Sequence, residues 1–149
     1  MGQITYGDTL ARQVRLKKRS INLTIADLTA VATSQLIDVG AALPSNAVIM
    51  GANIFLTTVF ASPGAGSLDI TLGDDTNDDD SIIAAYDAYT GSANLGLWTT
   101  GDTIGVNAYG TPSGSQLQLT LTSTTDNLSA FTTGDAQIDV WYFEAVVPE

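Results

Sequence analysis

The 149-residue chain contains no cysteine and no histidine. The first absence excludes a disulfide framework, a zinc–thiolate site and a thiol nucleophile, and it leaves the redox compartment unread. The second removes the usual general base, the commonest metal ligand and the usual pH switch. Lysine and arginine are almost as scarce. There are five, all within Arg12-Gln13-Val14-Arg15-Leu16-Lys17-Lys18-Arg19, so residues 20–149 carry no cation. Long apolar runs are missing too: no window approaches the ~18 apolar residues of a membrane helix. The stretch Ile21-Asn22-Leu23-Thr24-Ile25 behind the basic run is broken by polar residues at every second position, unlike a secretory leader.

What is present is acid. All but one of the 16 carboxylates follow residue 19, and the exception is Asp8. The chain therefore reads as two electrostatic objects, a short cationic arm and a long anionic body. Such an arm is drawn to acidic surfaces, including the body of a neighbouring copy. Apolar residues make up 44% and charged residues 14%, against a usual ~25% charged. Thr, Ser and Gly fill the difference. Hydrophobic residues recur regularly enough to exclude a disordered chain, and the length suits one domain with a core of its own.

The body has a period of two. Strands are expected at 34–39, 47–61, 68–72, 81–86, 103–109, 116–122 and 136–147, separated by Gly, Pro, Asn, Asp and Ser turns. Leu117, Leu119 and Leu121 alternate with Gln116, Gln118, Thr120 and Thr122, so one face is apolar and the other polar but uncharged. In the last strand Ile138, Val140 and Tyr142 share one face, with Trp141 and Phe143 on the other. No helical period of ten or more residues competes, and no repeat suggests a propeller. The fold class is all-β: a single β-sandwich or jelly roll of about eight strands over 31–149, preceded by an extended basic arm over 1–30. Within the arm the apolar phase shifts near Ser20, from Val14 and Leu16 to Ile21, Leu23 and Ile25, so a change of face is expected there.

Three groups of residues bear on chemistry. Asp74, Asp75, Asp78 and Asp80, in the loop Gly73-Asp74-Asp75-Thr76-Asn77-Asp78-Asp79-Asp80, are the carboxylates that would hold calcium, a hard ion that takes six to eight oxygens. Their spacing is not that of an EF-hand. The plainer reading of the same residues is a solvated acidic hairpin tip, and a third is a receptor for the basic arm of another copy. No cofactor other than calcium is called for. Asp69, Asp87, Asp102 and Asp139 offer carboxylates for acid–base work, but no motif singles out a pair, so no enzyme is expected. Tyr86, Tyr89, Trp98 and Tyr109 would either cap the core or line a sugar-binding surface.

The basic run, Arg12, Arg15, Lys17, Lys18 and Arg19, is the candidate partner-binding element. Five phosphate contacts would give a salt slope of roughly −4.5. No aromatic residue is interleaved for base stacking, and the acidic body opposes approach to a duplex, so an acidic protein surface is the expected partner.

Two stretches then stand out together. One is Ser67-Leu68-Asp69-Ile70-Thr71-Leu72-Gly73, followed by the acidic loop and Ser81-Ile82-Ile83-Ala84-Ala85-Tyr86-Asp87-Ala88. The other is Gly134-Asp135-Ala136-Gln137-Ile138-Asp139-Val140-Trp141-Tyr142 near the end. Over residues 33–147 this layout resembles the small β-jelly-roll structural proteins of tailed bacteriophages, in particular the capsid decoration or cement proteins. The resemblance implies a homotrimeric knob on the outer capsid surface of the virion. Its N-terminal arm would grip the major capsid protein of neighbouring capsomers, with no role for a membrane or nucleic acid. The alternative class is a carbohydrate- or receptor-binding module of a tail spike or fibre, and a calcium-dependent lectin is a third.

Overall fold

The computed structural model describes residues 16–45, 47–75, 78–90, 97–99, 109–110 and 116–144. Nine strands lie among them: β1 (Leu16–Thr24), β2 (Ser34–Asp38), β3 (Ala47–Ala61), β4 (Leu68–Asp74), β5 (Ile83–Asp87), β6 (Leu97–Thr99), β7 (Tyr109–Gly110), β8 (Leu117–Ser123) and β9 (Thr133–Glu144). The helical elements among the described residues are two single 3-10 turns, Ile25–Asp27 and Leu128–Ala130.

The strands form two antiparallel sheets. One has the order β1-β9-β3-β6, with β7 also on β3, and the other β2-β8-β4-β5. β6 pairs with Ala52–Ile54 and β7 with Val48–Ile49, so the two share one position in the sheet. Eight strand positions remain, and the chain crosses between sheets as a jelly roll does. Among the described strands the two sheets do not close on one another: β1 ends one sheet and β2 ends the other.

Alternation decides what faces inward. Leu117, Leu119 and Leu121 of β8 are fully buried, as are Leu68, Ile70 and Leu72 of β4. Ile49, Ala52, Ile54, Ile138 and Val140 meet them from the other sheet. Each Leu, Ile or Val side chain among these contributes ~1.5–3 kcal/mol on burial. β3 is long enough to need bending, and its register against β9 shifts between Ile49 and Gly51 and twice more beyond Leu56. Bulges of this kind curl a strand around its sandwich.

The loops at one end are tied by side chains. Asp126, between β8 and β9, accepts from the Ser62 hydroxyl and, at 3.0 Å, from the Gly64 N–H. Thr125 donates to the Gly64 carbonyl at 2.7 Å, and its Oγ1 accepts from the Gly66 N–H at 3.1 Å. Gln35 does similar work in the β1–β2 connection. Its Oε1 accepts from the Thr29 and Ala30 N–H groups, and its Nε2 donates to the Asp27 carbonyl.

The structure departs from the sequence reading at residues 16–30. Leu16–Thr24 is extended as expected, but its partner is β9 of the same chain, residue by residue from Leu16 opposite Phe143 to Thr24 opposite Asp135. The expected change of face near Ser20 does not occur, and the register runs through unbroken. Ile21 and Leu23 face the core, and Leu16, on the opposite face, is simply exposed.

Candidate functional site

Three of the five candidate partner-binding cations fall on β1; Arg12 and Arg15 lie outside the described residues. An edge strand with charged side chains resists uncontrolled pairing with another sheet, and lysine is the commonest device for this. Each cation of β1 also has a partner within the chain. Lys17 forms an ion pair with Glu144, both side chains being well solvated, so the pair adds little stability. Lys18 reaches Asp139 at 3.1 Å. Arg19 turns toward the loop after β2 and donates to the carbonyls of Val39, at 3.3 Å, and Ala41.

Asp139 is the most deeply placed charge of this group. It lies on the outward face of β9, where Ser20 of β1 and Asn53 of β3 stand directly opposite it in register. Burial by itself would push its carboxyl up. Hydrogen bonds from Gln137, Ser20 and Lys18, with the Lys18 charge, outweigh that and hold it below the ordinary carboxylate range.

Between the β1 and β2 edges the sandwich opens into a cleft of about 340 Å³, lined by Arg19, Ile21, Leu23, Ile37, Val39 and Leu119 among others. The two carboxylates at its rim already have partners. Asp27 accepts from the Thr24 N–H and hydroxyl, and Asp38 from Gln118 Nε2 at 2.9 Å.

The acidic loop is assembled differently from the sequence reading. Asp74 is buried at the end of β4, and its N–H bonds the Asp78 carbonyl at 3.1 Å. Asp75 Oδ1 accepts from the Gln116 N–H, while its own N–H donates to the Gln116 carbonyl, tying the loop to the start of β8. Asp78, Asp79 and Asp80 are the carboxylates that come together, exposed and with oxygens within 4.8 Å of one another. Asp79 was absent from the expected calcium set. Its carboxyl is pushed up by a hydrogen bond with Asp78, then by burial and by the charges of Asp78 and Asp80. The turn is tight: a Cβ on Gly73 would stand 1.8 Å from the Asp78 carbonyl oxygen.

The remaining candidates scatter. Asp69 and Asp87 are opposite one another on β4 and β5, but Asp87 caps the following turn, accepting from the Tyr89 N–H, the Thr90 N–H and the Thr90 hydroxyl. The Thr90 hydroxyl, then its N–H, lower the Asp87 carboxyl against the effect of burial. Asp139 belongs to the other sheet, and Asp102 lies outside the described residues. Tyr86 and Tyr89 pack against the core, partly buried; the side chains of Trp98 and Tyr109 lie outside the description.

No protein-family model matches the chain, and no curated protein matches it in sequence. The fold does have a solved counterpart. A chain in the structure of the cyanophage Pam1 capsid asymmetric unit superposes with a TM-score of 0.59, over 88% of this chain and 84% of its own, at 16% identity. The likeness is one of fold.

Proposed function

We propose that the chain is a non-enzymatic structural protein of a phage virion, placed on the outer capsid surface as a trimeric decoration or cement knob. The observation that carries this reading is the jelly-roll match along nearly the whole chain to a chain of a phage capsid assembly. The composition supports it: no histidine or cysteine, and no cation beyond residue 19. A knob of this kind stabilises a shell by burying surface across several major capsid protein subunits. Three docking segments on one trimer act at high effective local concentration. With Lys17, Lys18 and Arg19 engaged inside the fold, the docking cations in this reading are Arg12 and Arg15.

The test is composition of the particle. Quantitative mass spectrometry of purified virions is expected to find the chain in hundreds of copies, and virions lacking it are expected to lose their genomes at lower temperature. Absence from purified particles removes the reading. Presence at only a few copies, together with glycan binding, moves the protein to a tail spike or fibre.

A further inference from the structure

The two sheets are electrically unlike. β1, β3 and β9 carry three cations, Lys17, Lys18 and Arg19, and three carboxylates, Asp135, Asp139 and Glu144. β2, β4, β5 and β8 carry Asp38, Asp69, Asp74 and Asp87 with no cation, and the β4–β5 turn adds Asp75, Asp78, Asp79 and Asp80. Two copies of a chain of net charge −11 repel one another. The repulsion is strongest where the second sheet is presented and weakest where charges balance.

That sheet also has the apolar outer face, on which Lys18, Asp135 and Asp139 are the charges, since Lys17, Arg19 and Glu144 share the side of the buried Tyr142, Val140 and Ala47. Register places Leu16, Phe143 and Val48 side by side across β1, β9 and β3. They point away from the core, since the neighbouring Ile49 and Tyr142 are buried in it. Leu16 is 65% exposed, and Met50, in the adjacent bulge of β3, is 48% exposed. Among the described strands of the acidic sheet, Leu36 is the one large apolar side chain left exposed. Its neighbours across β8 and β4 are Thr120 and Thr71. Single exposed apolar residues are ordinary, whereas a contiguous row marks a contact surface.

We propose that copies of this chain associate through the outer face of the β1–β9–β3 sheet, with the Leu16–Phe143–Val48 row and Met50 at the centre of the contact. Charge favours a second copy on this face over the acidic one: among the outward-facing residues of the described strands, Lys18 pairs with Asp139 and Asp135 is the one further charge, whereas Asp38, Asp69 and Asp87 face out from the other sheet with no cation. The acidic sheets are then turned outward. The contact deepens the virion reading, on which its biological use rests, but it is tested on the isolated protein.

Sedimentation velocity over a wide concentration range decides it. The purified chain is expected to sediment as a defined oligomer. Leu16→Glu with Met50→Glu, at two solvated positions, is expected to weaken association roughly a hundredfold or more, because like charges then face each other across the contact. Leu16→Ser with Met50→Ser adds no charge and is expected to weaken it by a smaller factor. Val31→Glu with Leu36→Glu adds the same charge elsewhere, and the oligomer should persist. A wild type that is monomeric throughout overturns the proposal. So does an oligomer that survives both Leu16/Met50 pairs, or one that the Val31/Leu36 pair disrupts equally. If the contact fails while the chain remains in purified virions, only the choice of face is lost. If it holds while virions lack the chain, only the virion reading is lost.

Discussion

The Lys18 ammonium donates to the Asp139 carboxylate at 3.1 Å, joining a side chain that is 46% exposed to one that is 5% exposed. A nearly buried charge on the central strand of a sheet is thus neutralised from the edge strand. Removing one partner of such a pair leaves the other charge with less compensation. Because Gln137 and Ser20 still serve Asp139, we expect Lys18→Met to cost about 1–2 kcal/mol, at the modest end for a hydrogen bond to a charged group. Asp139→Asn in the Lys18→Met background should recover part of this. A double-mutant cycle by urea unfolding measures the coupling.

The pH dependence follows from the directions at three carboxyls. Asp139 and Asp87 titrate lower in the folded chain than in the unfolded one. Their contributions are therefore fully present above the unfolded value of about 3.9 and are lost as pH falls through the lower folded values. Asp79 is raised and has the opposite sign: its ionisation in the folded chain is a cost that acid relieves. Stability should hold from neutral pH to about 5 and fall below about 4. Asp139→Asn should flatten the acid limb in urea-midpoint measurements, and Asp79→Asn should raise the neutral plateau slightly. A limb unaltered by Asp139→Asn would refute the assignment.

Asp126 holds the β3–β4 turn through the Ser62 hydroxyl and the Gly64 N–H. Asp126→Ala strips both donors of their acceptor, with an expected loss of about 1–3 kcal/mol. Asp126→Asn, which keeps an acceptor oxygen, should lose less. Thermal unfolding of the two variants side by side distinguishes a hydrogen-bonded tie from a general effect of charge.

With Asp74 buried and Asp75 engaged with Gln116, the acidic turn presents Asp78, Asp79 and Asp80 as its grouped ligands. Three exposed carboxylates supply too few fixed oxygens for a tight calcium site, so affinity no better than ~10⁻³ M is expected. Titration calorimetry with calcium chloride measures it. EDTA should leave the melting temperature unchanged, whereas a clear drop would show a resident cation.

Much of the sandwich is legible in the chain, through composition in β3 and through an alternation of one phase in β8. β3 has the bounds that its Val, Ile and Phe content marks, and β8 follows from the alternation of Leu117, Leu119 and Leu121. β1 is harder to read. Of its nine residues, only Ile21 and Leu23 pack against the core. The rest are the charged and polar residues that suit an edge, and the same residues suit a solvated arm. The arrangement of the acidic loop is hidden for another reason. Spacing alone treats Asp74, Asp75, Asp78 and Asp80 as equals, but Asp75 is committed by the start of β8, a partner 41 positions away. A contact of that range leaves no local trace. β6 was missed because Leu97–Thr99 is only three residues long.

Leu16 lies opposite Phe143, so the chain enters the described fold and leaves it side by side at one end of the same sheet. Tension between the two flanking segments would act at the end of the β1–β9 ladder and across its hydrogen bonds. The rungs would carry the load singly and open in order from Leu16 toward Leu23, which sits deepest in the core. A protein pulled by these two segments would therefore yield by peeling at low force, with β1 acting as a mechanical fuse for the sandwich behind it.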